Sequence, residues 1–178
     1  MSRRMLSVAS LALVCLFSAA SAQAQTGAPG QTYRFADDSF SIWLPRQAVV
    51  KKTKDHVTGQ MITSYTAADE RGGVYLVAAS RFPPLPTPSE VKAALPLTIE
   101  GFALGMGGKV LSQKEIMRNG YLGREFEVQA PGGAIVKGRV FVIDGRLYIL
   151  AVVPGPDQDV ATHANRFLFS FRADGMKK

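Results

Sequence analysis

The sequence predicts an α+β domain: an antiparallel β-sheet, a meander plus hairpins, packed against two main helices in an α/β sandwich. Three observations lead there. Residues 121–153 alternate apolar runs with glycine-bearing turns. Residues 33–81 supply further runs with period-two alternation. Two other segments carry apolar residues at helical spacing, one following Thr87 and one following Gly155.

The stretch 121–153 is the most informative. Asp144-Gly145 lies between two apolar runs, and a type I′ hairpin turn needs positive φ at both of its central residues. A two-residue loop there sets Ile143 opposite Arg146, Val142 opposite Leu147 and Val140 opposite Ile149. Val140, Val142, Leu147, Ile149 and Ala151 then share one face, and Phe141, Ile143, Tyr148, Leu150 and Val152 the other. Both faces are apolar, so both require cover. Pro131-Gly132-Gly133 reads as a type I turn closed by a left-handed Gly133. That register pairs Val128 with Val136, Glu127 with Lys137 and Glu125 with Arg139. Phe126 and Val128 join the Val140 face, while the charges pair on the opposite one. Asn119-Gly120 is a second type I′ signal, which places a strand at about 109–118 and completes a four-stranded meander.

Earlier in the chain, Tyr33 and Phe35, then Phe40, Ile42 and Leu44, alternate about Asp37-Asp38-Ser39 and predict a short hairpin ending at Pro45. Residues 55–67 and 73–81 predict two more strands, again nearly apolar on both faces. Pro83-Pro84-Leu85-Pro86 breaks the sheet and reads as a rigid crossover in preference to a ligand for a partner groove.

Thr87-Pro88-Ser89-Glu90 is a capping box with proline at the first helical position. Val91, Leu95, Ile99, Phe102 and Met106 follow as one helical stripe. Pro96 falls inside it and predicts a kink or break near 92–96. Gly105, Gly107 and Gly108 end the helix. The second helix starts near Gly155-Pro156-Asp157 with Val160, Ala164, Phe167 and Leu168 as its stripe, and Phe169 to Phe171 turn back toward the sheet.

The N-terminus reads as a secretory signal peptide. Arg3 and Arg4 precede the apolar run Met5–Ala20, then comes Ser21-Ala22-Gln23-Ala24-Gln25. Cuts after Ala22 and after Ala24 both fit, and Ala24 is preferred. The run is too short for a comfortable spanning helix, so no transmembrane segment is expected after cleavage. Arg3-Arg4 matches a twin-arginine signal only in part. The organisation is then residues 1–24 signal peptide, 25–32 flexible linker, 33–173 a single α+β domain and 174–178 a frayed tail. The expected location is periplasmic or secreted.

The only cysteine, Cys15, lies in the apolar run after Val14, which is unsuited to a lipoprotein site. The mature chain therefore has no disulfide, thiol nucleophile or thiolate ligand. Of 178 residues, 154 remain after removing 24. Of the 21 Lys and Arg, all but Arg3 and Arg4 remain, with all 14 acidic residues, for a net charge of +5. The excess is scattered, and no basic-aromatic motif points to nucleic acid.

Chemistry-bearing patterns are sparse. Gly105-Met106-Gly107-Gly108-Lys109 lacks the spacing of a phosphate loop and follows a helix rather than preceding one. His56 and His163 stand apart, with no metal-ligand spacing. No Gly-x-Ser-x-Gly elbow occurs. Glu125 and Glu127 suit cross-strand pairing with Arg139 and Lys137 better than acid–base work. No catalytic residue, cofactor or metal ligand is assigned, and the chain is read as not an enzyme. Surface contact is assigned to Trp43, to the basic patch Lys51, Lys52 and Lys54, and to Phe82. Trp43 could face a ligand or pack under a loop or helix. The lysines could meet an anionic surface or form a solvated loop between strands.

Phe40-Ser41-Ile42-Trp43-Leu44-Pro45, Tyr121-Leu122-Gly123-Arg124-Glu125, Arg146-Leu147-Tyr148-Ile149-Leu150 and Phe167-Leu168-Phe169-Ser170-Phe171 resemble the PsbP-like and DcrB-like superfamily of small exported α+β proteins. The resemblance spans nearly all the mature chain and rests mostly on core positions. It implies a fold with non-catalytic accessory or binding roles and carries no catalytic residues across. The expected function is that of an exported periplasmic binding or accessory protein, with an envelope protein as partner. The alternative is a peripheral binder of anionic lipid or polysaccharide through the basic loop.

Overall fold

The computed structural model describes residues 30–55, 59–81, 87–153, 155 and 160–176, except for the side chains of Val160, Ala161 and His163. The signal segment, the cleavage sites, His56, Phe82 and the proline crossover lie outside the described residues.

Among the described residues, ten strands and two helices follow in the order β1 (Gln31–Phe35), β2 (Phe40–Leu44), β3 (Val49–Lys54), β4 (Met61–Ala68), β5 (Val74–Arg81), α1 (Pro88–Gly105), β6 (Lys109–Arg118), β7 (Tyr121–Gln129), β8 (Ile135–Ile143), β9 (Arg146–Val153), α2 (Val160–Ser170) and β10 (Arg172–Ala173). Seven strands form one antiparallel sheet in the order β3-β4-β5-β9-β8-β7-β6. The other three form a small sheet, β1-β2-β10.

The predicted meander is present with the expected register. Val140 faces Ile149 and Val142 faces Leu147, while Glu125 faces Arg139 and Glu127 faces Lys137. Asn119-Gly120 and Asp144-Gly145 have positive φ at both residues, as type I′ turns require. The turn at 131–133 differs from expectation. Gly132 has φ +87° and Gly133 φ +89°, and the Gly133 N–H donates to the Ala130 carbonyl at 3.0 Å. A positive φ at the third turn position makes this type II rather than type I, a conformation open to Gly132 because it lacks a Cβ.

Two packed layers cover the large sheet, one on each face. On one face, Val140, Val142, Leu147, Ile149, Phe126 and Val128 bury against Leu95, Ile99 and Phe102 of α1. On the other, Phe141, Ile143, Tyr148, Leu150 and Val152 bury against Phe40, Ile42 and Leu44 of the small sheet and Ala164, Phe167 and Leu168 of α2. Burial of apolar side chains on this scale contributes about 1.5–3 kcal/mol for each large residue and dominates the stabilisation.

Helix α1 carries the capping box. Glu90 N–H donates to Thr87 Oγ1 at 3.3 Å, and Thr87 N–H donates to Glu90 Oε2 at 2.7 Å. The helix runs unbroken through Pro96. It ends in a Schellman motif: Gly108 N–H donates to Ala103 O, and Gly107, at φ +70°, donates to Leu104 O. The glycine-rich segment is thus a helix terminus.

Several expectations need correction. The first strand begins at Gln31, so Gln31 and Thr32 belong to the small sheet and not to a linker. Lys51, Lys52 and Lys54 sit on strand β3 and not in a loop. Every side chain of β3 is exposed, so the segment offers no apolar alternation to read. Asp174 to Met176 are packed rather than frayed. Asp174 N–H donates to Ser39 O at 2.9 Å, and Met176 joins the core at 9% exposure. Helix α2 continues through Phe169 to Ser170 before β10 turns back onto β2.

Candidate functional site

The paired carboxylates Glu125 and Glu127 of β7, the nearest thing to catalytic chemistry in the sequence, stand opposite Arg139 and Lys137 of β8. Arg139 is buried, its side chain 8% exposed, on the face covered by α2. Its Nε and Nη2 both donate to Glu125 Oε2, at 2.9 and 2.7 Å. Its plane lies over the Phe169 ring, 4.0 Å from the centroid, and Nη1 donates to Leu168 O at 3.3 Å. Lys114 reaches the second oxygen of Glu125 at 2.9 Å. Glu127 pairs with Lys137 at 3.2 Å. Burial pushes the Glu125 carboxyl up, but hydrogen bonds and charge from Lys114 and Arg139 outweigh it and hold the carboxyl below its ordinary range.

The carbonyls at the end of α2 gather arginines. Arg118 donates to Leu168 O at 3.2 Å and to Phe169 O, and Arg172 donates to Phe169 O at 3.1 Å and Phe171 O at 2.9 Å. Cations there complement the negative end of the helix dipole. Burial, then repulsion from Arg172 and Arg139, lowers Arg118 to about 10, which leaves it charged at neutral pH. This cluster docks α2 on the sheet.

A second polar knot fixes the β1–β2 turn. Asp38 accepts from Tyr65 Oη at 2.7 Å and Arg146 Nη1 at 2.9 Å, while Tyr148 Oη donates to the Asp38 carbonyl at 2.8 Å. Burial foremost pushes the Tyr148 hydroxyl up to about 12, so it remains a donor. Tyr65 shifts further in the same direction, through burial and the Asp38 bond.

Among the described residues no group of three His, Cys, Asp or Glu side chains is placed to hold a metal ion. No helix among them is long and apolar enough to cross a membrane.

The assigned contact residues fare unequally. Trp43 is 6% exposed and cannot present its ring to a partner. Its indole N–H donates to Gly30 O at 2.7 Å, its backbone N–H donates to Ser170 Oγ at 2.8 Å, and Tyr75 meets its ring edge-on. Arg166 covers the ring at 4.3 Å. Trp43 therefore packs under α2, the other of its two sequence readings. Phe82 lies outside the described residues. Lys51, Lys52 and Lys54 are exposed together at the edge of the large sheet. Lys52 approaches Asp37 at 3.8 Å, a solvent-exposed pair of small energetic consequence. Val49 and Val50, also exposed, extend the same edge and carry no signal in the sequence that singles them out.

The architecture recurs in a solved structure, which shows that the chain has a PsbP-like fold. The chain is similar in structure to cyanobacterial PsbP (CyanoP) from Synechocystis sp. PCC 6803. The TM-score is 0.57 at 16% identity, over 85% of this chain and 97% of that one. A Pseudomonas aeruginosa protein of unknown function, PA94, aligns at 15% identity over 77% of this chain and 90% of that one, with a TM-score of 0.40. No family model and no curated protein sequence matches the chain.

Proposed function

We propose that this chain is exported to the periplasm or secreted, and acts there as a non-catalytic binding or accessory protein that contacts an envelope protein. The observation that carries the reading is that the carboxylates nearest to catalytic chemistry, with Asp38, are engaged in ion pairs of the fold. Glu125 is held by Arg139 and Lys114, Glu127 by Lys137, and Asp38 by Arg146 and Tyr65. A working acid–base pair would need at least one carboxyl group available to substrate. Export rests on the basic, apolar and Ala-x-Ala succession of residues 3–24. The exposed lysines and valines of β3 supply the contact surface. No cofactor and no nucleic-acid partner enters this reading.

A second reading is favoured by the exposure of all three lysines on one strand: attachment to anionic lipid or polysaccharide. Cell fractionation, with envelope cross-linking in parallel with vesicle sedimentation, tests both. The first reading expects mature protein starting at Gln25 outside the cytoplasm, and a discrete envelope-protein adduct lost on reversing the β3 charges. Sedimentation with anionic vesicles that falls with salt, without an adduct, selects the second. Uncleaved cytoplasmic protein overturns both.

A further inference from the structure

We propose that the β3 edge is a docking site for an extended acidic segment of a partner, which adds to the large sheet as a further strand. This deepens the contact reading above and rests on it.

The two edges of the large sheet are built differently. At β6 the register shifts between Val110 and Ser112, and such a bulge breaks the regular row that a new strand needs. Its side chains are also engaged: Lys114 with Glu125, Glu115 with Lys92, and Arg118 with the end of α2. Strand β3 pairs with β4 over six residues with no shift, and among the described residues nothing lies beyond it in the sheet order.

The backbone polarity of β3 follows from its end. Asp55 N–H donates to Gln60 O at 2.8 Å, continuing the β3–β4 ladder. Backbone groups alternate along an antiparallel strand, so Thr53, Lys51 and Val49 point theirs at β4. Val50, Lys52 and Lys54 point their N–H and C=O groups outward, where an added strand would meet them.

Charge selects the occupant. Lys51 projects on the α1 side, Lys52 and Lys54 on the small-sheet side, so an incoming strand meets positive charge on both faces. A second copy would place its own lysines against these, and like charges across a ladder are unfavourable. An acidic strand gains the same ladder with opposite charge. Val49, 72% exposed, and Val50 add apolar contact at one end.

The test titrates the folded chain with a short capped peptide alternating Val and Glu, followed by amide NMR and hydrogen exchange. Binding should slow exchange at Val50, Lys52 and Lys54 above the free protein, with little change at Val49, Lys51 and Thr53. Val50→Pro removes one outward donor, spares the β4 ladder and keeps every lysine, and it should weaken binding by about tenfold. The same peptide N-methylated at alternate residues should fail to bind wild type, which covers the case of a variant that folds poorly. Reversing Lys51, Lys52 and Lys54 to Glu should abolish binding. Peptide binding that survives both Val50→Pro and N-methylation but not charge reversal is charge attraction alone and overturns strand addition. Absence of peptide binding to wild type overturns it too. The parent reading is judged separately: an envelope-protein adduct equal in wild type and Val50→Pro preserves that reading while rejecting this one.

Discussion

The Arg139 guanidinium grips a single oxygen of Glu125 through both Nε and Nη2, at 2.9 and 2.7 Å, beneath the ring of Phe169. The pair joins adjacent strands β7 and β8, and Arg139 also reaches the Leu168 carbonyl of α2. One buried cation thus ties the sheet to its covering helix. Truncating it leaves Glu125 with Lys114 alone and removes a donor from the end of α2. Arg139→Ala should lose about 3–5 kcal/mol of unfolding free energy, the range for breaking one side of a buried pair. Urea denaturation checks this, and a loss below about 1 kcal/mol would place the pair with ordinary surface bridges.

The same carboxylate sets an acid limit. Its folded pKa is depressed, so its contribution is full above the unfolded value of about 4.3. It is lost as pH falls through the lower folded value. Glu125→Gln should therefore flatten the acid limb of the stability–pH curve while lowering stability at neutral pH. Parallel acid limbs for the two proteins would show that Glu125 does not carry this dependence.

Gly138 lies under Phe126 across the β7–β8 pair, and a Cβ there would collide with that ring and with the Leu150 carbonyl. Phe126 is itself buried against Phe102 of α1, with centroids 5.5 Å apart, so it cannot swing aside freely. Gly138→Ala should cost about 1–3 kcal/mol, in the range for overpacking a filled core. Thermal or urea unfolding would register it. An unchanged midpoint would mean the ring has room the packing does not indicate.

The packed C-terminal turn carries a further expectation. Asp174 binds Arg34 through two hydrogen bonds at 2.8 and 2.9 Å, and Met176 sits in the core beside the small sheet. The ion pair is exposed and contributes little. Burial of the Met176 thioether stabilises the turn more. Met176→Ala should destabilise by about 2 kcal/mol, the low end for a buried methionine, while Asp174→Asn should leave stability nearly unchanged. A reversed ranking would show that the tail is held by charge.

The meander was legible because its turns fix its register. Once Asp144-Gly145 closes a two-residue loop, every pair up to Val140–Ile149 follows by counting, and the two apolar faces follow from the pairs. Helix α1 was legible from Thr87 and Glu90 at one end and the glycines at the other. What escaped was non-local. β3 shows no alternation because all six of its side chains face solvent, so only its pairing with β4 defines it. β10 is two residues long and exists through Ser41 and Phe40 opposite it. The packing of Met176 and the burial of Trp43 depend on α2 and the small sheet closing over them, contacts distant in sequence. The lysines are legible as a patch, but their position at a sheet edge is a property of topology.

A photo-cross-linker placed at Thr53, on β3 beside the lysines, tests docking at this edge most directly when the exported protein is probed in living cells. Docking at β3 should give a discrete adduct with an envelope protein, mapped to an acidic segment of that partner, and none from the same group at exposed Met117 on the opposite edge strand. Equal labelling from both edges, or none from Thr53, would refute it.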